Sequence, residues 1–357
     1  MRRSPWLPVL ILLALGVYAL PKGQPVLPTP DAAQLPTPHV TAPTPLPGDV
    51  QRLFDKSRPA SVRVEQRDRQ GNLLAIGSGF FINAQGQFLT AYHVVEGGHI
   101  FSVKTVSGRS FFADMVGFDN AADLALLKIR SRGQVPYLPL AERAPLVGER
   151  VLAVGNSHDQ FLQPRRGRLL RLNASAERAD FPEGTLEMNA PLAPGDSGGP
   201  ILDPSGQAIG VVSYIRVDDN DQTLTSYAVP VSAASAVLRD LRAGVKRDVP
   251  ALGVTDSAHS FSYGQDGVAV GTVTPGSPAA RAGLRGERPQ GSGEKVRFES
   301  DVILKVDGAP VSDFNDLIFQ VRRKHIGETV TLTVRRGEQT LRVPVKLAAK
   351  GSFNQGE

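Results

Sequence analysis

From residue 61 onward, apolar and polar positions run in short bursts that glycine and polar residues interrupt. Runs at 61–66, 73–82, 87–90, 100–106, 110–118 and 124–129 have the length and β-branched, aromatic content of strands. Between them lie Arg69-Gln70-Gly71-Asn72, Asn83-Ala84-Gln85-Gly86 and Val106-Ser107-Gly108-Arg109, which are turn chemistry. A second series follows at 150–154, 168–173, 185–188, 201–202, 209–215 and 226–229. Short strands at this spacing predict antiparallel barrels or a sandwich, not an α/β sheet. Helical periodicity is confined to an amphipathic stretch at 49–57 and an alanine-rich one at 231–241, which closes the β-rich region. After a linker at 244–250, two further strands at 329–334 and 340–347 end the chain.

The N-terminus reads differently. Arg2 and Arg3 precede an apolar run over 6–20 that stops at Pro21. Fifteen helical residues reach about 22 Å, short of the roughly 30 Å hydrocarbon layer. The segment 1–20 is therefore either a signal peptide, with Val17-Tyr18-Ala19 before the cut, or an uncleaved anchor with its arginines in the cytoplasm. Either way the rest of the chain is exported. Residues 21–48 hold nine prolines, which forbid a helix and predict an extended tether.

A chain of 357 residues, 41% hydrophobic, buries more than one core. Net charge is +5. The densest basic cluster, Arg165, Arg166, Arg168 and Arg171, has no interleaved aromatics, which argues against nucleic acid. It is either a solvated loop and strand face or a contact for an anionic surface. The chain has no cysteine, so disulfides, thiol nucleophiles and thiolate metal sites are excluded. Its six histidines form no pair at helical spacing and no H-E-x-x-H, so no metal and no cofactor are expected.

Chemistry concentrates in Asn189 to Pro200, N-A-P-L-A-P-G-D-S-G-G-P. Glycines around one serine weaken regular structure and permit a tight turn that exposes Ser197. The same turn can aim the N–H groups of Gly195 and Ser197 into one space, as a developing oxyanion requires. A serine hydroxyl needs a base, and the base an orienting group. His93, in Thr90-Ala-Tyr-His-Val-Val95, follows a strand in a compact turn, and Asp123 stands at the mouth of an apolar strand.

These stretches carry a resemblance. I-G-S-G-F-F-I (76–82), T-A-Y-H-V-V (90–95), A-D-L-A-L-L-K-I (122–129) and P-G-D-S-G-G-P (194–200) resemble the protease core of the HtrA (DegP, DegS-like) family. The resemblance implies a mostly β fold: two six-stranded antiparallel barrels of the trypsin-like type over 49–243, with the triad in the cleft, then a small α+β PDZ domain over 250–349. It implies catalytic roles for His93, Asp123 and Ser197. An oxyanion hole at Gly195 and Ser197 and an apolar primary pocket at Pro191, Leu192, Ser213, Tyr214 and Ile215 go with them. In the PDZ domain, Ala251, Leu252, Gly253 and Val254 correspond to a loop that holds a peptide C-terminus. A homotrimer is implied, with Leu53 and Phe54 either contributing to it or simply buried. The activity implied is that of an exported endopeptidase acting on unfolded or damaged envelope proteins. A gated, peptide-binding chaperone or scaffold is the other reading.

Two departures stand out. Asp196 replaces the asparagine that most members carry, and in digestive trypsins such an aspartate pairs with a new N-terminus for which this chain has no cut site. Gly155-Asn-Ser-His-Asp159 with a basic loop through Arg168 replaces a loop that orders the family's active site, and His158 within it is either a pH-sensitive group or an exposed one. A sixteen-residue insertion, 285–300, is expected to be a mobile surface loop.

Overall fold

The computed structural model describes residues 46–157, 160–175, 179, 181–218, 220, 222–259, 266–290 and 297–353. The expectations for 1–20, for most of the tether and for His158 lie outside them.

The first helix, α1 (Gly48–Ser57), leads into strands β1 (Ser61–Arg67), β2 (Leu73–Phe81), β3 (Gln87–Ala91), β4 (Ile100–Thr105), β5 (Ser110–Asp119) and β6 (Leu124–Ile129). Their order is β5-β4-β1-β2-β3-β6, and a β5–β6 pairing closes the sheet into a barrel. The second barrel comprises β7 (Arg150–Gly155), β8 (Gln163–Ala174), β9 (Thr185–Met188), β10 (Pro200–Leu202), β11 (Ala208–Val217) and β12 (Thr223–Pro230), closed in the order β10-β11-β12-β9-β8-β7. Two antiparallel six-stranded barrels thus bear out the expected fold.

Strand β6, Leu-Ala-Leu-Leu-Lys-Ile, is apolar at nearly every position because it buries both faces. Ala125, Leu127 and Ile129 join Phe81 and Phe88 inside the first barrel. Leu124 and Leu126 turn the other way, to a seam shared with Phe80, Leu89, Leu152, Val154, Leu162 and Leu202. Each such buried Leu or Phe stabilises by about 1.5–3 kcal/mol, so the seam fixes the barrels against each other and the cleft between them. Phe54 of α1 is buried in that seam and Leu53 packs against it, partly buried. The closing helix, α2 (Ala236–Arg242), starts later than the periodicity over 231–241 implied. Ser235 supplies the N-cap, accepting from the Leu238 N–H, and Leu238 and Leu241 dock on the seam.

The expected linker is ordered: β13 (Lys246–Arg247) runs parallel to the end of β5. The C-terminal domain begins at β14 (Pro250–Ala251), β15 (Val254–Asp256), β16 (Val268–Val273) and α3 (Pro278–Arg281). After the hairpin β17 (Arg288–Gln290) and β18 (Arg297–Glu299) come β19 (Val302–Val306), β20 (Ala309–Pro310), α4 (Phe314–Arg322), β21 (Thr329–Arg336), β22 (Gln339–Lys346) and β23 (Ala348–Ala349). The main sheet runs β15-β16-β19-β21-β22, so β15 is an edge. The described ends of the 285–300 insertion thus pair as two short antiparallel strands.

Candidate active site

His93 sits in a 3-10 turn at Tyr92–Val94, directly after β3. Asp123 enters β6 with φ of +50°, a left-handed conformation that non-glycine residues rarely hold. The turn is secured on both sides, because the Asp123 N–H donates to Asn120 O (3.2 Å) and its carbonyl accepts from the Tyr92 N–H (3.2 Å). Its carboxylate therefore faces His93 squarely. Nδ1 lies 2.9 Å from Oδ2 and 3.1 Å from Oδ1, and the His93 backbone N–H donates to Oδ1 at 3.0 Å. Burial alone would depress the imidazolium, but the Asp123 charge and hydrogen bond outweigh it and hold the His93 pKa above the ordinary histidine value. Burial likewise pushes Asp123 up, and the His93 charge with three hydrogen bonds brings its pKa below the usual carboxylate value.

Ser213 joins this pair to Ser197. Its hydroxyl donates to Asp123 Oδ2 at 2.5 Å, and its carbonyl lies 3.5 Å from Ser197 Oγ. Ser197 is pinned between the barrels: its carbonyl accepts from the Ser78 N–H (2.8 Å) of β2, and the next residue's N–H donates to Val212 O (2.8 Å) of β11. A methyl on Gly198 would collide with Ser78 O and Thr90 Oγ1, and one on Gly77 would strike both Val94 and Ser197 O. These close approaches need glycine, and they seat Ser197 against the residues flanking His93. In this resting arrangement Ser197 Oγ faces Ser213 and makes no hydrogen bond to the imidazole.

The loop before Ser197 has its own supports. Gly195 has φ of +102°, and its carbonyl accepts from Ser78 Oγ at 2.7 Å. Among the described residues, the N–H groups of Gly195 and Ser197 donate to no protein acceptor. Between them Asp196 turns inward, where Oδ1 accepts from the Ser157 N–H and Oδ2 from the Ala193 N–H, both at 3.0 Å. Arg165 Nη2 donates to Ser157 Oγ at 2.7 Å, and its charge acts on Asp196. Burial pushes the Asp196 pKa up, against these donors. Backbone N–H groups thus take the place of the N-terminal ammonium. Arg165 lies on β8, which begins at Gln163 rather than 168, since residues 163–168 pair with β7 residue for residue. Arg168 donates to Gly148 O and Arg171 to Glu187, so three of the four clustered arginines have partners within the chain.

The expected pocket residues divide. Ser213 belongs to the site, Ile215 packs with fully buried Leu192 in the second barrel's core, and Pro191 is exposed. The Tyr214 ring lies in a stack with Phe181 (4.3 Å) and Tyr227 (4.4 Å), so its side chain is not a pocket wall. In the C-terminal domain, Leu252 is buried and Gly253 has φ of +81° against Ser277. The Leu252 and Gly253 carbonyls accept from Ala279 and Thr274, while their N–H groups meet no acceptor among the described residues. Ala251 pairs with Ala348 and Val254 with Val273.

Sequence reasoning missed Ser78, Asn156 and Arg165. The Asn156 N–H and Nδ2 both reach Ser78 Oγ (3.1 and 2.9 Å), which completes the cradle under Gly195. Only the two glycines around Ser78 hinted at a crowded position.

Residues 77–211 match the trypsin-like peptidase domain and residues 250–347 the PDZ domain. HhoA of Synechocystis sp., which bears a serine-protease name, is 33% identical over 318 residues, covering 84% of this chain and 75% of its own. Protease Do-like 1, chloroplastic, of Arabidopsis thaliana is 30% identical over 315 residues, 84% of this chain and 71% of the relative. A DegP-like protein of Bartonella henselae, named as a periplasmic serine endoprotease, is 28% identical, and the match spans 61% of its length. Among solved structures, the HtrA-type protease AlgW with tripeptide shares the fold at a TM-score of 0.51 and 24% identity, covering 87% of this chain and all of that one.

Proposed function

Since the chain belongs to the HtrA-type trypsin-like serine proteases and is a serine endopeptidase, we propose that Ser197 attacks the scissile carbonyl while His93 accepts its proton. His93 then returns that proton to the leaving amine, and Asp123 fixes the imidazole tautomer and stabilises the imidazolium. The observation that carries this reading is the Asp123 carboxylate held on His93 Nδ1 at 2.9 Å, with Ser213 linking it to Ser197. Rotation of the Ser197 hydroxyl from Ser213 O toward the imidazole is the first movement of the reaction. The N–H groups of Gly195 and Ser197, both without a protein acceptor among the described residues, stabilise the tetrahedral oxyanion.

Its substrates are unfolded or damaged polypeptides of the cell envelope, a reading supported by the periplasmic name of the Bartonella relative. The N-terminal segment exports the chain and either tethers it or is removed. The primary pocket takes small or medium aliphatic side chains, because neither Ser213, the expected pocket residue that lies at the site, nor exposed Pro191 offers a carboxylate to a basic residue. The PDZ domain takes peptide C-termini at Leu252–Gly253, with the peptide adding as a strand to the β15 edge. Fluorophosphonate labelling and casein hydrolysis by the wild-type chain test the reading, and absence of both defeats it. A peptide library should show cleavage after Val, Ala, Leu or Ile, and dominant cleavage after Arg or Lys would refute the pocket assignment.

The pH profile follows from His93, which must be neutral to take the serine proton. Its pKa is raised, so activity is present at higher pH and lost as pH falls. The midpoint should lie above the value of about 6.5 for an unperturbed histidine. An acid limb of kcat/KM below that value would contradict the coupling to Asp123.

A further inference from the structure

Both ends of the C-terminal domain return to the side of the first barrel that carries His93 and Asp123. β14 at its start pairs antiparallel with β23 at its end, and the Lys350 N–H donates to Val249 O at 2.9 Å. Just ahead of this clasp, the Asn120 N–H donates to Arg247 O (2.9 Å), and the Arg247 guanidinium bridges Asp119 (3.3 Å) and Asp240 (2.7 Å). Asp248 stands between. Its Oδ1 accepts from Asn120 Nδ2 at 2.7 Å and from the Val249 N–H at 2.8 Å, and its Oδ2 accepts from the Gly351 N–H at 2.8 Å. One carboxylate ties the 119–123 turn, the linker and the C-terminal cap together.

The turn held in this way is the one that aims Asp123. Asn120 uses its side chain on Asp248 and its carbonyl on the Asp123 N–H. A left-handed non-glycine residue is strained and persists only where its surroundings over-determine it. A second strut reaches the other member of the pair. Lys350 Nζ lies 2.9 Å from Glu96 Oε2, three residues beyond His93, and Gln66 Nε2 anchors the Glu96 carbonyl at 2.6 Å. Between the struts Tyr92 is buried and stacked on Phe118 at 4.4 Å.

We propose that Asp248 and Lys350 are positioning residues for hydrolysis. Through them the junction with the C-terminal domain holds the Asp123 turn and the His93 segment in place. The inference rests on the reading of His93, Asp123 and Ser197 as the catalytic set. The charged groups acting on His93 are Asp123, Glu96 and Lys350; Glu96 raises its pKa and Lys350 lowers it. Removing either partner of the strut should therefore move the acid limb, in opposite directions.

The test uses the full chain with the substitutions Asp248→Ala, Asp248→Asn, Lys350→Met and Glu96→Gln. kcat and KM are read on a fluorogenic peptide, the pH profile from fluorophosphonate labelling of Ser197, and Tm by calorimetry. Asp248→Ala should lower kcat about tenfold with KM within about twofold, as expected when positioning alone is lost. Asp248→Asn, with one acceptor oxygen left, should fall between it and wild type. Lys350→Met should shift the acid limb to higher pH, Glu96→Gln to lower pH, and the double variant should return toward wild type. A folded Asp248→Ala variant with wild-type kcat overturns the proposal. If Asp248→Ala does not fold, unchanged kcat in Asp248→Asn with an unmoved limb in Lys350→Met overturns it equally. Wild-type protein that neither hydrolyses nor labels overturns the catalytic reading itself, and this inference with it.

Discussion

Ser197→Ala should reduce peptide hydrolysis by about 10⁴–10⁶-fold while leaving the fold intact. No thiol can stand in for the hydroxyl, since the chain has no cysteine. The hydroxyl contributes little to stability, because its one hydrogen bond among the described residues is the long 3.5 Å approach to Ser213 O. Tm should therefore stay within a few degrees of wild type, in contrast to the effect of any residue in the seam between the barrels. Residues that act as one unit are not additive. Adding His93→Ala to Ser197→Ala should cost nothing more, whereas His93→Ala alone should already lose most of the rate. Casein hydrolysis and peptide kcat, measured beside a thermal melt, decide the matter. A folded Ser197→Ala variant that keeps more than about one per cent of wild-type turnover would remove Ser197 from the mechanism.

The pattern of short strands and turn glycines was enough to place most strands, because alternation and turn chemistry are local, but it left barrel and sandwich open, and the two barrels came from the resemblance. Strand β6 shows the limit. Its unbroken apolar run states that both faces are buried, but only the structure separates Leu124 and Leu126 on the seam from Ala125, Leu127 and Ile129 within the barrel. Similarly, Pro164 and three arginines disguise the first half of β8, where pairing to β7 overrides local preference. The proposed catalytic set was legible from four motifs in order, each with its residue at a break in the pattern. Its supports were not, since each depends on contacts remote in sequence. Ser78 meets Gly195 across 117 positions and Asn120 meets Asp248 across 128. Such partners leave no periodic trace. Tyr214 illustrates the converse, a residue next to Ser213 whose ring is committed to an aromatic stack.

Asp196→Ala should reduce kcat by about 10²-fold, the loss expected when an oxyanion donor is misplaced. The carboxylate is buried. It acts by holding the Ser157 and Ala193 N–H groups, and so fixes the loop that presents the Gly195 and Ser197 donors on either side of it. Alanine leaves two N–H groups without an acceptor, at about 1–3 kcal/mol each, so Tm should fall as well. Asp196→Asn distinguishes the two effects, because it keeps the shape and one acceptor oxygen but cannot receive both donors. It should melt close to wild type and still lose kcat. Acid should act on Asp196 in the same way. Burial raises its pKa in the folded chain, so protonation favours the native state, and this group's contribution to stability grows as pH falls through that value. Acidification thus weakens the loop's ties while this residue does nothing to unfold the chain. Activity should disappear at a higher pH than the near-ultraviolet circular dichroism of the native fold, and wild-type kcat in a folded Asp196→Ala variant would show that Ser78 and Asn156 hold the loop without it.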